Sequence, residues 1–328
     1  MTTDGRFRTV SPSHHPELFW GLAGGGGSTF AVVTSVIIRV YPRIGGTISQ
    51  IKFSNSNITN ETFYAGIQSY WDNFIRFTDA KTWSHYWLFN ISGVASFEIR
   101  PFYAPHYTIP QFNALLQPWF DSLQTLGIPA TINTTYHDSF LSGFEEFLYN
   151  SGSIIGLAGS RLFPRQNWED DVKRKETFDA MMYSIRNGKQ TNGYTMSPRL
   201  TTNISNAVNP AWRTAIAFLA AGVTVPGTAS PEQAAAQGRV LTDDIMGGWR
   251  RVAPNEEGGG AYANEGDLNE PNWQEAFHGD TYAELRRVKK KWDPEGLFYA
   301  YRTVGSEEWE IRDGERGVQT QDGRLCRI

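Results

Sequence analysis

Apolar positions along this chain recur with two periods. From Glu61 to Phe77 they fall at Phe63, Ile67, Tyr70, Phe74 and Phe77, the spacing of one helical face. Gln111 to Leu126 repeats the pattern with Phe112, Leu115, Trp119, Phe120 and Leu123, and Gly127 closes it. Pro118 inside this segment predicts a kink or a split, because proline removes a helical donor. Trp168 to Arg186 predicts a third, highly charged helix. Ser230-Pro231-Glu232-Gln233 predicts the start of a fourth: a serine cap, a proline in the first turn and a glutamine completing a capping box. Thr281 and Glu284 predict the same box for a helix carrying Tyr282, Leu285, Val288 and Trp292 inward. Lys289, Lys290 and Lys291 then read as a solvated C-terminal end, and Asp293-Pro294 as the stop.

Between these segments lie runs rich in aromatic and β-branched residues. Phe30–Val40, Trp83–Phe89, Ser96–Tyr103, Ile154–Arg161, Tyr194–Thr202 and Trp212–Ala220 are predicted strands. Strands and helices mix without strict alternation, which predicts an α+β fold, an antiparallel sheet backed by helices. No repeat of fixed period is present.

The densest local signal is the glycine run Gly24 to Gly27, preceded by Pro16 to Leu22 with the pattern of one or two helical turns. Phosphate-binding loops of the Rossmann and Walker types run strand, glycines, helix. Here the order is helix, glycines, strand, and no lysine follows the glycines, so neither reading applies. Two readings stay open: a plain flexible turn, or a place where backbone N–H groups approach a cofactor closely.

Composition narrows the chemistry. The 328 residues are 40% apolar and 14% aromatic, with 11 Trp and 14 Tyr, enough for a large core and an aromatic pocket. A net charge of −4 argues against a nucleic-acid partner. No apolar run is long enough to predict a membrane span, and residues 1–8 lack the apolar stretch of a secretory leader. The one cysteine, Cys326, allows neither an intrachain disulfide nor a cysteine metal cluster. No histidine pair has metal-ligand spacing, so no metal is expected. Five glycosylation acceptors, Asn57, Asn60, Asn90, Asn133 and Asn203, hint at secretory ancestry.

Several short motifs stand in one order. They are the glycine block from Glu17 to Ser35, Gly159 to Arg165 (GSRLFPR), Asn206 to Arg213 (NAVNPAWR), Gly260-Ala261-Tyr262-Ala263-Asn264, and Glu270-Pro271-Asn272-Trp273. Phe277-His278-Gly279, Asp293 to Phe298, Val304 to Trp309 and Gly323 to Cys326 follow. Together they resemble the berberine-bridge-enzyme-like branch of the FAD-linked oxidoreductases, within the vanillyl-alcohol-oxidase/PCMH superfamily, in its fungal form. The resemblance implies part of a PCMH-type FAD-binding domain plus an antiparallel-sheet substrate domain backed by helices. It divides the chain into 1–42, a remnant of the FAD domain, and 43–255, the substrate domain. Residues 256–310 return to the FAD domain, and 311–328 form a tail.

By the same resemblance the cofactor is FAD and the chemistry is oxidation of an alcohol or C–H centre in a small specialised or carbohydrate-like molecule. Gly24, Gly25, Gly26, Gly27, Thr29, Phe30 and Asn264 would bind the cofactor, and Tyr262 would be catalytic. A strand at this point would put Tyr262 and Asn264 on one face. The competing reading makes Tyr262 a core aromatic and Asn264 a turn residue. Tyr194 and Arg161 are further pocket candidates, each also readable as wall or structural. Departures from the family pattern are Ala23 for arginine, Ala31 for glycine and Thr281 for asparagine. The family's N-terminal region, with its covalent flavin-attachment residues, has no counterpart; His14, His15 and Cys326 stand in other contexts. The resemblance therefore implies a shortened chain, with three alternatives: a flavoenzyme fragment whose N-terminal part is lost from the gene model or supplied by a second polypeptide, a flavin-free member catalysing isomerisation or cyclisation, or a non-catalytic partner or pseudoenzyme.

Overall fold

The computed structural model describes residues 1–27, 29–91, 93–147, 156–198, 205–314 and 323–328. Its centre is an antiparallel sheet of β1 (Gly46–Ser54), β2 (Trp83–Ile91), β3 (Val94–Pro105), β4 (Thr131–His137), β5 (Leu157–Pro164), β6 (Gln190–Thr195) and β7 (Ala215–Val223). The strand order is β4-β1-β3-β2-β6-β7-β5, and every pairing is antiparallel. A separate ribbon pairs β8 (Trp309–Arg312) with β9 (Arg324–Arg327), which contains Cys326. No described helix is long and apolar enough to cross a membrane.

One face of the sheet carries the helices. The first helix, α1 (Pro16–Leu22), lies outside this layer. Helices α2 (Asn60–Trp71), α3 (Phe74–Asp79) and α4 (Ile109–Thr125) bury Phe63, Tyr70, Phe74, Phe77, Phe112 and Trp119 against Tyr86, Phe97, Ile99 and Phe102 of the strands. The segment predicted as one helix over 61–77 is thus two, joined at Asp72 and Asn73. Pro118 neither ends nor splits α4. Ser122 Oγ donates to the Pro118 carbonyl at 2.9 Å, and Gly127, at φ +67°, follows the helix. Within the core, the Tyr70 hydroxyl is satisfied by Ser84 and Thr195 at 2.5 and 3.1 Å, as a buried polar group requires.

Short α5 (Phe140–Phe147) packs at the β3–β4 side. The charged segment predicted from 168 forms α6 (Gln166–Glu169) and α7 (Asp171–Arg186), because Asp170 adopts an extended backbone and caps α7. The Ser230 box forms as predicted and opens α8 (Pro231–Arg239). The chain then passes through a π turn, Val240–Ile245, into α9 (Met246–Val252). Trp212 belongs to a 3-10 turn, Pro210–Arg213, so β7 begins later than expected. Strand β6 ends at Thr195, and residues 199–202 of the predicted Tyr194–Thr202 strand lie outside the described residues, as do 154–155 of Ile154–Arg161. Asn57, Asn60, Asn90 and Asn133 are exposed, whereas Asn203 lies outside the described residues.

Segments from both ends of the chain form a second, smaller cluster. Leu18, Phe30, Ala207, Leu285, Val288 and Val304 share it, with α10 (Trp273–His278) and α11 (Tyr282–Trp292) alongside. Two expectations are corrected here. Thr281 does not cap α11; its backbone is helical, and its hydroxyl donates to the His278 carbonyl at 2.6 Å. Lys289 is not solvated. Its ammonium donates to Thr29 O at 2.6 Å, Phe298 O at 2.6 Å and Asp293 Oδ2 at 2.7 Å, so all three N–H groups are used. Burial lowers its pKa, against the pull of Asp293.

Residues 30–40 do not form the predicted strand. Val32 exchanges hydrogen bonds with Met1, and Val33, Val36, Ile37, Ile38 and Val40 stand exposed. β-Branched residues make a strand only beside a partner strand, and none lies alongside among the described residues.

Replacing Lys289 by Met leaves the Asp293 carboxylate, fully buried at 0% exposure, without its counter-charge. The expected loss is about 3–5 kcal/mol of unfolding free energy, measured by urea denaturation. An equal loss in the exposed control Lys290→Met would overturn this assignment.

Candidate functional site

The glycine turn is shaped by α1. Ala23 and Gly25 donate to Phe19 and Gly21 carbonyls, ending the helix. The four glycines have different reasons to be glycine. A Cβ on Gly24 would lie 2.2 Å from the Val208 nitrogen, and one on Gly25 would lie 2.5 Å from Leu285 Cδ2. Gly26 has φ +99°, which glycine adopts without strain. Only Gly27 faces open space, with nothing within 4 Å of an added Cβ.

Facing this turn is the segment 260–264. Gly260 bridges to Leu162 of β5, Ala261 N donates to Ala276 O at 2.7 Å, and Tyr262 N donates to Ser160 Oγ at 3.3 Å. Tyr262 and Asn264 are not on a strand: Tyr262 precedes a 3-10 turn, Ala263–Glu265. Asn264 Nδ2 nevertheless donates to the Tyr262 hydroxyl at 2.7 Å, so the turn itself brings the two side chains together.

A cleft of about 250 Å³ lies between these walls. Gly24, Gly26, Gly27, Tyr262 and Asn264 all line it. Gly25, Thr29 and Phe30 do not. Phe30 is fully buried in the small cluster, and buried Thr29 uses its carbonyl on Lys289 and its hydroxyl on Gly27 O. The cleft also takes in Val208, Asn209, Trp212, Phe277 and His278, for which the sequence reading gave no role. Asn209 was legible in part, as an Asn-Pro turn; its amide donates to Ala276 O and its carbonyl accepts from Ala211 N.

His278 is buried with neither ring nitrogen hydrogen-bonded. Burial pushes its imidazole down to about 4, so it is neutral at pH 7.

Next to the cleft runs a ladder of rings on the sheet face away from the helices. Trp83, His85, Trp87 and Phe89 alternate along β2. His85 stacks on Tyr194 at 4.4 Å and 12°, Tyr194 meets Phe218 at 5.7 Å, and Phe218 meets Tyr262 at 6.1 Å. His85 Nε2 has no partner, and burial followed by the Arg100 charge pushes the ring down to about 4. Burial, helped by the Glu265 charge, pushes Tyr194 up to about 12. Arg161 lies elsewhere. It donates to Ala253 O and Asn255 Oδ1 and pairs with Glu270 at 3.6 Å, which makes it a structural clamp.

The chain is similar to several known proteins. Residues 261–304 match the family described as berberine and berberine like. The FAD-linked oxidoreductase ZEB1 of Gibberella zeae is 31% identical over 335 residues, covering 100% of this chain and 55% of that protein. The bifunctional decalin synthase calF of Penicillium decumbens is 30% identical, with 100% of this chain and 56% of that protein covered. The crystal structure of the VAO-type flavoprotein MtVAO615 from Myceliophthora thermophila C1 superposes with a TM-score of 0.86 at 28% identity, covering 100% of this chain and 58% of that one. The chain therefore spans about half the length of the relatives it matches.

Two expectations follow from the site's geometry. Gly24→Ala forces backbone against Val208 and costs about 1–3 kcal/mol, whereas Gly27→Ala changes stability by less than about 0.5 kcal/mol. Thermal unfolding of both variants checks this; equal melting points would show that the turn relaxes freely. The second concerns pH. The folded state holds His278 neutral down to about 4, while the unfolded chain protonates it near its ordinary 6.5. Between those values the unfolded state binds more protons, so stability falls as pH drops from 6.5 to about 4. His278→Leu removes this contribution, giving a flatter denaturation midpoint against pH; an unchanged slope would refute the assignment.

Proposed function

We propose that this chain, a relative of the berberine-bridge-enzyme-like FAD-linked oxidoreductases over about half of their length, supplies one wall of an FAD site and the aromatic floor on which a small substrate is oxidised. The observation that carries this reading is the convergence of the glycine turn and the Tyr262–Asn264 pair on one cleft.

The residues present fit part of such a cofactor. Ligand pockets commonly occupy about 300–1,000 Å³, so a cleft of about 250 Å³ receives one edge of FAD, not the whole molecule. Gly27 leaves room for close approach, and Gly26, at φ +99°, lines the same cleft. When bound, FAD supplies hydride acceptance.

This chain's own residues orient and exchange protons. The Asn264 amide occupies one acceptor site of the Tyr262 hydroxyl, leaving its proton free for a substrate oxygen in the cleft. We assign Tyr262 the catalytic role on that basis. The ladder of Tyr194, Phe218, Trp212 and His85 excludes water and offers flat apolar faces for an alcohol-bearing or carbohydrate-like substrate. In this reading, residues 1–42 and 256–310 form the cofactor side, 43–255 the substrate side, and 311–328 a tail. The rest of the cofactor site comes from further polypeptide, joined to this chain or separate from it.

A second reading has one observation in its favour. The ring ladder is a continuous apolar surface, suited to folding a flexible hydrocarbon for cyclisation, and a relative carries the name decalin synthase.

Titration of the purified chain with FAD, followed by flavin fluorescence, tests the principal reading. Saturable quenching is expected, weakened at least about tenfold by Gly27→Leu, which fills the cleft, and by Asn264→Leu, which removes the tyrosine's partner. Quenching unaffected by either variant, or no quenching at all, would reject this cleft as the cofactor wall and leave the cyclisation reading.

A further inference from the structure

A larger cleft, of about 760 Å³, opens beyond the Tyr262–Asn264 turn and shares only Asn264 with the first cleft. Its walls come from β5, α8, the π turn and the loop after Asn264. The apolar part combines small residues, Ala158 on the strand and Ala234, Ala235 and Gly238 on the helix, with Leu157, Val225 and Leu268.

The polar part is held by a buried network. Arg250 donates to the Thr242 carbonyl in the π turn at 2.6 Å and to Glu270 Oε2 at 2.9 Å. Glu270 N in turn donates to Asp267 O at 3.0 Å. One arginine thus fixes Thr242 and Asp267 on neighbouring walls of the cleft. A π turn of this kind widens a helix locally and often sits at a functional site.

Asp267 is 2% exposed and uses Oδ1 on the Asn269 amide at 2.9 Å. Its Oδ2 has no hydrogen-bond partner. The buried Thr242 hydroxyl is near enough to favour the carboxylate, yet it makes no hydrogen bond of acceptable geometry. Burial still raises the carboxyl, outweighing Thr242, Arg250 and Arg302. Two unsatisfied polar atoms on neighbouring cleft walls are costly unless a ligand meets them.

Charge sets the ligand's sign. Asp243, Glu265 and Asp267 line the cleft against one cation, Arg239. Among the described residues no three acidic, histidine or cysteine side chains are grouped to hold a metal ion. We propose that this cleft binds an apolar molecule bearing a primary ammonium group, with Asp267 Oδ2 and Thr242 Oγ1 meeting the ammonium and the alanine-lined wall meeting the hydrocarbon. The binding is independent of FAD and of Tyr262.

Calorimetric titration of the full chain with cyclohexylmethylamine tests this, beside cyclohexylmethanol and cyclohexanecarboxylate as neutral and anionic isosteres. The amine is expected to bind saturably, and Asp267→Asn to weaken it at least about tenfold, as loss of a buried charge partner does. Ala235→Trp, on a half-exposed helix position, fills the cleft without touching Asp267 and abolishes binding. Gly27→Leu, in the other cleft, leaves it unchanged. Amine binding that survives both Asp267→Asn and Ala235→Trp overturns the proposal. So does equal binding of the alcohol or carboxylate, or no amine binding.

Discussion

The ammonium of Lys289 joins three parts of the chain in one buried contact. It reaches the carbonyl beside the glycine turn, the carboxylate that ends its own helix and a carbonyl in the turn beyond. A buried charge tolerates no loose geometry, because any unpaired N–H carries its desolvation cost in full. The contact therefore fixes where the glycine turn sits relative to α11. Helix α11 follows directly on α10, whose carbonyl at Ala276 holds the segment leading to Tyr262. The distance across the candidate cofactor cleft is set from this point, not by the glycines themselves.

The central sheet separates two environments with different tasks. Toward the helices it presents aliphatic and aromatic groups packed into the main core, where Ser84 of β2 and Thr195 of β6 satisfy the hydroxyl of Tyr70 on α2. Toward the cleft it presents rings whose polar atoms are left open, His85 Nε2 among them. His85 and His278 are both kept neutral by burial, so each offers a lone pair and a proton without bringing net charge into an apolar space. Such a surface favours uncharged reactants. The carboxylate-lined cleft beyond Asn264 favours the opposite, and the two regions share that one residue.

Much of the helical layer was legible because its signals are local. The box at Ser230 depends on four consecutive residues, and the face of α4 on a simple period. Where partners are remote, the reading failed for identifiable reasons. Lys289 stands four residues after Leu285 and so lies on the buried side of α11; its charge suggested solvent, and its distant acceptors were invisible. Strands β1 and β4 were not recognised, and β4 carries mostly exposed polar residues at a sheet edge. The pairing of Tyr262 with Asn264 was anticipated through strand alternation, but a side-chain hydrogen bond across a 3-10 turn achieves it. His278 gave no sequence signal, since its significance lies in having no partner at all.

The exposed stretch from Val33 to Val40 has a consequence of another kind. Among the described residues no strand pairs with its backbone, and Val33, Val36, Ile37, Ile38 and Val40 face water, which makes it a template that an extended chain can match. The equilibrium it enters is one of mass action. Pairing through this stretch, where it occurs, strengthens with the concentration of the pairing chain.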